Sequence, residues 1–199
     1  MKHVFLTILR DRSTEREHYR KAADQLASIM AAESGQFLLK LKKSVETPVG
    51  RAQGEYFSQE PALVSILRSG LVLLPAFLNL YPKASVGLIG IRRDEKTAEA
   101  RLYYSNLPRL HRETPIFLLD PMIATGGSAA LAVKLLKEAG AEEKQIVLFS
   151  ILAAPDGLAH IERACPSIRI HAVHVDQKLD PKKWIVPGLG DFGDRYFGT

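Results

Sequence analysis

The feature that most narrows the fold is a series of short, mostly apolar runs, each followed by a segment of helical character. Ile116-Phe-Leu-Leu119, Ile146 to Leu152 and Ile168 to Val175 alternate with segments from about Ser128 to Ala139 and Pro155 to Ala164. Ala62-Leu-Val-Ser-Ile-Leu67 and Ser85-Val-Gly-Leu-Ile-Gly-Ile91 have the same texture, with a helical Leu71 to Leu80 between them despite Pro75. Strands without polar alternation are buried on both faces. Their alternation with helices implies right-handed crossovers and an α/β fold, a Rossmann-like, mostly parallel sheet flanked by helices. Gly140 ends one helix and Pro155 opens the next, at positions where each residue is favoured.

The flanks read differently. Thr14 with Glu17 three residues later, ahead of Ala22, Ala23, Leu26, Ile29 and Met30, predicts a capped amphipathic helix from about 14 to 33. Residues 34–60, with Thr47-Pro-Val-Gly50 and Gly54, read as turns or an irregular arm. The polar segment from Arg92 to Leu110 is too long for a plain connector. The tail from Asp176 to Thr199, rich in Gly, Pro and Asp, reads as ordered loop rather than packed helix. A chain of 199 residues then makes one domain: a helix and arm over 1–60, an α/β core over 61–175, and a closing segment over 176–199.

Composition removes several classes of function. Cys165 is the only cysteine, so an intrachain disulfide or zinc cluster is excluded and a reducing cytosol is the expected compartment. Near a helix end, Cys165 reads as a packed residue. His171 and His174 fall on opposite faces of one strand, and the six histidines show no ligand spacing. The apolar stretch Leu71 to Leu80 is too short to span a membrane, and no secretory signal is expected before Leu9-Arg-Asp-Arg12. The net charge of +5 is not gathered into aromatic-interleaved runs, which argues against nucleic acid and suits a small polyanion.

The candidate for that polyanion's site is Asp120-Pro-Met-Ile-Ala-Thr-Gly-Gly-Ser128, between a buried strand and a helix. Ligands of open parallel sheets sit beyond the carboxyl ends of the strands. Gly126 and Gly127 allow close backbone approach, the first helical amides are unsatisfied, and the helix dipole favours an anion. Thr125 and Ser128 add hydroxyl donors. Neither Gly-Lys-Ser/Thr nor G-x-G-x-x-G is present, so this is not an ATP P-loop or a dinucleotide fingerprint. Thr-Gly-Gly-Ser alone would also serve as a plain helix cap. Asp120 shifts the balance, because a carboxylate there repels phosphate but accepts hydrogen bonds from ribose hydroxyls.

In these residues the chain resembles the type I phosphoribosyltransferases, and with Pro121 in place of a second acid it resembles the uracil phosphoribosyltransferases. Leu9-Arg-Asp-Arg-Ser-Thr14, Thr47-Pro-Val-Gly50, Ile66-Leu-Arg-Ser-Gly70 and the tail Ile185-Val-Pro-Gly-Leu-Gly-Asp-Phe-Gly-Asp-Arg195 with Phe197-Gly-Thr199 match that family in order. The resemblance implies transfer of phosphoribose from 5-phosphoribosyl 1-diphosphate to N1 of uracil, for pyrimidine salvage in the cytoplasm. Catalytic roles fall to Asp120, Arg68 and Asp191. The donor would be held by Arg68, Arg93, Asp120, Pro121, Met122, Ile123, Ala124, Thr125, Gly126, Gly127, Ser128 and Asp191. Backbone groups of Ile185, Gly190, Asp191 and Phe192 would read uracil. Magnesium would come with the diphosphate, through water near Asp191 and without direct protein ligands. A flap over about 92–110, a homo-oligomer of dimers or larger, and GTP-responsive allostery complete what the resemblance implies.

The bland readings stand beside these. Arg68 also suits a strand-end ion pair, Arg93 with Arg92 a solvated loop, and Asp194 a side-chain-stabilised turn. The chain departs from the family at Ser69, Arg92, Trp184 and, most consequentially, Phe192, where alanine is usual. A bulky Phe192 either narrows the base pocket or points outward. Its amino terminus is also several residues shorter than the family's. Two other readings keep the fold: a phosphoribosyltransferase for another base, and a non-catalytic regulator that senses nucleotides or binds RNA. The tail opposes the first. The presence of Arg68 and Asp191, without a coherent basic face, opposes the second.

Overall fold

The computed structural model describes residues 1–93 and 100–199, the Arg93 side chain excepted. Helices α1 (Lys2–Arg10) and α2 (Arg16–Ser34) precede a hairpin of β1 (Lys40–Thr47) and β2 (Gly50–Phe57). Next come β3 (Ala62–Leu67), a 3-10 turn (Ser69–Val72), α3 (Leu74–Leu80), β4 (Val86–Arg93) and β5 (Ala100–Asn106). The second half alternates β6 (Ile116–Leu119), β7 (Met122–Ile123), α4 (Gly127–Glu138), β8 (Ile146–Ala153), α5 (Pro155–Ala164) and β9 (Arg169–Val175). Then follow β10 (Lys178–Leu179), β11 (Ile185–Val186) and α6 (Phe192–Phe197).

A seven-stranded sheet runs β5-β4-β3-β6-β8-β9, with β7 continuing the β6 position against the end of β8. Within this sheet, among the described residues, only β4 and β5 pair antiparallel. Side-chain alternation sorts the strands into two cores. Leu63, Phe117, Leu119, Val147 and Phe149 pack with Ala23, Leu26 and Met30 of α2 and Phe77 of α3. Val64, Ile116, Leu118, Ile146 and Leu148 face Ala132, Val133 and Leu136 of α4 and Ile161 of α5. The expected strands and helices from 61 to 175 are present, with Pro75 tolerated in the first turn of α3.

The flanks depart from the sequence reading. Helix α2 begins at Arg16 without a side-chain cap. Thr14 Oγ1 instead donates to Ile8 O at 2.7 Å, and Glu17 pairs with Lys21 at 2.6 Å, so the expected capping box is absent. Helix α1 was not foreseen; it buries only Leu6 and Leu9. The arm is not irregular but a hairpin, with Thr47 opposite Gly50 and Pro48-Val49 as its loop. Every β1 residue is exposed, so no burial pattern marked it. Of the expected flap, residues 94–99 lie outside the described residues; on either side β4 and β5 pair, with a register shift between Gly90 and Ile91. The tail ends in a true helix, α6, whose first turn is capped by Asp191 accepting from Asp194 N–H at 2.8 Å.

Two arginines tie that tail to the amino terminus. Arg10 grips Asp176 through two bonds of 3.0 and 2.6 Å and donates to Gly188 O at 2.9 Å, while Gly188 N–H donates to Asp176 at 2.8 Å. Arg195 donates to Leu9 O, to Leu189 O at 2.8 Å and to Asp11 O at 2.6 Å, its guanidinium 4.4 Å from the Tyr19 ring centre. Burial alone would raise the Asp176 carboxyl, but the bonds from Arg10 and Gly188 outweigh it and hold the group below its ordinary 3.8. Stability from this pair is therefore present above the unfolded-state value and lost as pH falls through the lowered folded one. Asp176→Ala strands a largely buried guanidinium and should cost about 3 kcal/mol in urea unfolding at pH 7. The gap from wild type should narrow in acid; an equal gap at pH 3 and pH 7 contradicts the assignment.

Candidate active site

The turn after β6 is moored to β8 before it reaches the glycines. Asp120 N–H donates to Phe149 O at 3.1 Å, Pro121 O accepts from Ile151 and Leu152 at 3.0 Å each, and Ala154 N–H donates to Ile123 O at 2.8 Å. Gly126 then takes a left-handed φ of 78° and starts α4 without a side-chain cap. A Cβ there would come 2.5 Å from Gly157 O, and one on Gly157 would come 2.4 Å from Ala124 O. The turn and α5 thus touch backbone to backbone, and Gly157 is a requirement that sequence reasoning missed. Among the described residues, the Thr125 and Ser128 hydroxyls have no hydrogen-bond partner, which leaves them and the first amides of α4 for a ligand. Asp120 is 7% exposed, and that burial pushes its carboxyl up to about 7 against the opposing Met122 N–H.

The loop after β3 abuts the same strand ends. The Leu67-Arg68 peptide is cis. Gly70 lies so close to Leu119 O that a Cβ would come within 2.3 Å, which brings this loop beside Asp120. Arg68 reaches across to Asp194 at 3.1 Å.

The tail closes the third side. Trp184 O accepts from Asp180 N–H at 2.9 Å and Val186 O from Gln177 N–H at 3.3 Å. Backbone groups alternate along a strand, so those of Ile185 point away from β10. A cleft of about 750 Å³ is lined by Arg68, Met122, Ala124, Ile185, Gly190, Asp191 and Phe192, all singled out from the sequence. Asp120, Pro121, Ile123 and residues 125–128 are outside that lining, on the continuation of the turn. Arg92 lines the cleft; the Arg93 side chain is outside the described residues. Sequence reasoning passed over Lys182 and Lys183 on the rim, although the Lys-Lys pair was visible. Lys183 holds a left-handed φ of 67°, unusual for a residue with a side chain.

Phe192 does not point outward into solvent. Its side chain is 1% exposed, packed 5.7 Å from Tyr19 and 6.3 Å from Tyr196 between ring centres. It therefore supports α6 from below, while the residue still borders the cleft. No group of three or more His, Cys, Asp or Glu among the described residues can hold a metal ion alone.

This fold, with an acid and a glycine turn at the strand ends under a closing tail, defines the phosphoribosyltransferase class. A purine phosphoribosyltransferase from Pyrococcus horikoshii shares the fold at a TM-score of 0.51 and 12% identity, covering 82% of this chain and 85% of that one. The AQ2163 protein from Aquifex aeolicus is more similar, with TM-score 0.88 and 35% identity over 100% of this chain and 94% of its own. The sequence model of the uracil phosphoribosyltransferase family matches residues 2–199. A uracil phosphoribosyltransferase of Thermus thermophilus is 44% identical over 195 residues, 98% of this chain and 93% of the relative. One from Campylobacter concisus is 40% identical over 194 residues, 98% and 92%. The chain belongs to the uracil phosphoribosyltransferase family.

Because the Phe192 ring is core rather than pocket, Phe192→Ala should cost about 3–5 kcal/mol in urea unfolding and leave the choice of base unchanged. Altered base selectivity at undiminished stability would place the ring in the cleft.

Proposed function

We propose that this chain transfers phosphoribose from 5-phosphoribosyl 1-diphosphate to N1 of uracil, giving uridine monophosphate and diphosphate. The observation that carries the reading is the single cleft shared by Arg68, the turn at Met122 and Ala124, and the tail at Ile185 and Gly190 to Phe192. Family membership over nearly the whole chain supports the same reaction. The 5-phosphate sits on the amides and hydroxyls of residues 125–128, and Asp120 accepts from the ribose hydroxyls. Arg68, with Arg93, holds the diphosphate, where a planar guanidinium matches phosphate oxygens.

Uracil presents two acceptors flanking an N–H, and the backbone of Ile185 and of Gly190 to Phe192 supplies the complementary edge. Cytosine's amino group would leave a buried polar atom unpaired there, costing about 1–3 kcal/mol. N1 forms its bond to the anomeric carbon as the carbon–oxygen bond to diphosphate breaks; diphosphate leaves with the electron pair and the N1 proton is lost. The anomeric carbon turns positive on the way, as in glycoside cleavage. The protein's part is alignment and exclusion of water.

Magnesium fits this site. It binds with few carboxylates, waters and substrate phosphates, and Asp191 lies on the cleft with one carboxylate oxygen engaged by Asp194 N–H. When bound, the ion neutralises charge on the leaving diphosphate. The wholly exposed β1 strand, with Leu41 and Val45 each 40% exposed, supports a homo-oligomer in which a second copy covers the hairpin. The reaction suits a cytoplasmic salvage enzyme.

The test is a panel of bases with phosphoribosyl diphosphate and Mg²⁺, following diphosphate release. Uracil alone should drive turnover, and Asp120→Asn and Arg68→Ala should each lower it at least about tenfold in folded protein. Donor affinity should weaken as pH drops through about 7 and Asp120 gains its proton. Release independent of uracil, or driven by another base, sinks the reading.

A further inference from the structure

Resting on that reading, we infer that Asp194, with Thr199, is the positioning residue for Arg68, so that the base-binding tail sets the aim of the diphosphate-binding arginine. The contact is a closed set of bonds. Arg68 donates from Nη2 to Asp194 Oδ1 at 3.1 Å and to Thr199 Oγ1 at 3.3 Å, and Thr199 Oγ1 donates to Asp194 Oδ1 at 3.2 Å. The Phe197 ring lies under the guanidinium, 5.7 Å from its carbon. One nitrogen and one face of the guanidinium are thereby used. Among the described residues Nε and Nη1 have no partner, which leaves N–H donors on both sides of Nη2 for phosphate oxygens.

The holder is itself fixed. Asp194 N–H is capped by Asp191, its carbonyl accepts from Gly198 N–H at 2.7 Å, and the next residue, Arg195, is bonded to Leu9 and Asp11. On the following turn Arg20 Nε donates to Tyr196 O at 2.8 Å. A loop arginine on a long, rotamer-rich side chain is thus aimed by a short helix anchored at both ends. The same helix and its N-cap bring Phe192 and Asp191 to the cleft, so donor and base sites share one support.

Both charged side chains are about half exposed, 54% and 52%, so the pair is worth little as stability and its effect belongs in donor binding. Steady-state kinetics on purified wild type, Asp194→Ala, Thr199→Val, Arg68→Ala and the Arg68→Ala/Asp194→Ala double variant decide it. Asp194→Ala should raise the donor KM about fivefold, with kcat and the uracil KM within about twofold and the melting temperature unchanged. Thr199→Val, which keeps the carboxylate and secures the test if Asp194→Ala folds poorly, should raise the donor KM about twofold. In the Arg68→Ala background Asp194→Ala should add nothing, because residues acting through one another are not additive. An unchanged or lower donor KM in Asp194→Ala, or an undiminished effect without Arg68, overturns the inference. Absence of uracil-dependent turnover in wild type would instead sink the functional reading, and calorimetric donor binding to the same variants would then decide this one.

Discussion

The cleft exists because two arginines hold the tail against the first helix. Arg10 reaches from α1 to Asp176 and Gly188, and Arg195 reaches back from α6 to the carbonyls of Leu9 and Asp11. Each guanidinium spends its planar fork on groups fixed in the backbone or on one buried carboxylate, the geometry in which arginine outperforms lysine. Between these clamps the chain from Asp176 to Arg195 has little core of its own: Ile185, Leu189 and Phe192 are its buried apolar side chains. The segment proposed to read the base is thus positioned by polar contacts that cross nearly the full length of the chain.

Beneath the tail, the strand ends accept costs that a purely structural turn would avoid. Asp120 is a carboxylate in a place that favours its protonated form, with a value near 7. Gly70 lets the loop after β3 press on Leu119 O beside it, and Gly126 and Gly157 let the turn and α5 meet backbone to backbone. Buried charge and backbone crowding of this kind are retained where a ligand repays them.

The α/β core was legible because its signal is local and strong. Runs such as Ile146 to Leu152 are buried completely, and the helices carry apolar stripes or clear stops. The turn at 120–128 was legible as a turn for a related reason, since its glycines fall between a buried strand and a helix. Other features depended on partners distant in sequence. Helix α1 has two buried residues and no capping signal. The hairpin shows no burial alternation because, apart from Phe57 at the end of β2, little of the chain packs on it. Thr14, offered as a cap, found Ile8 O nearer to hand. The site followed the same division: the burial of the Phe192 ring depends on Tyr19, and the Arg68–Asp194 pair spans 126 positions.

A structure of the protein with uridine monophosphate bound tests the central claim most directly. The account predicts the phosphate on the amides and hydroxyls of residues 125–128, the ribose hydroxyls at Asp120, and the base edge against the backbone of Ile185 and Gly190 to Phe192. A nucleotide whose phosphate lies away from that turn, or whose base points out of the cleft, would contradict it.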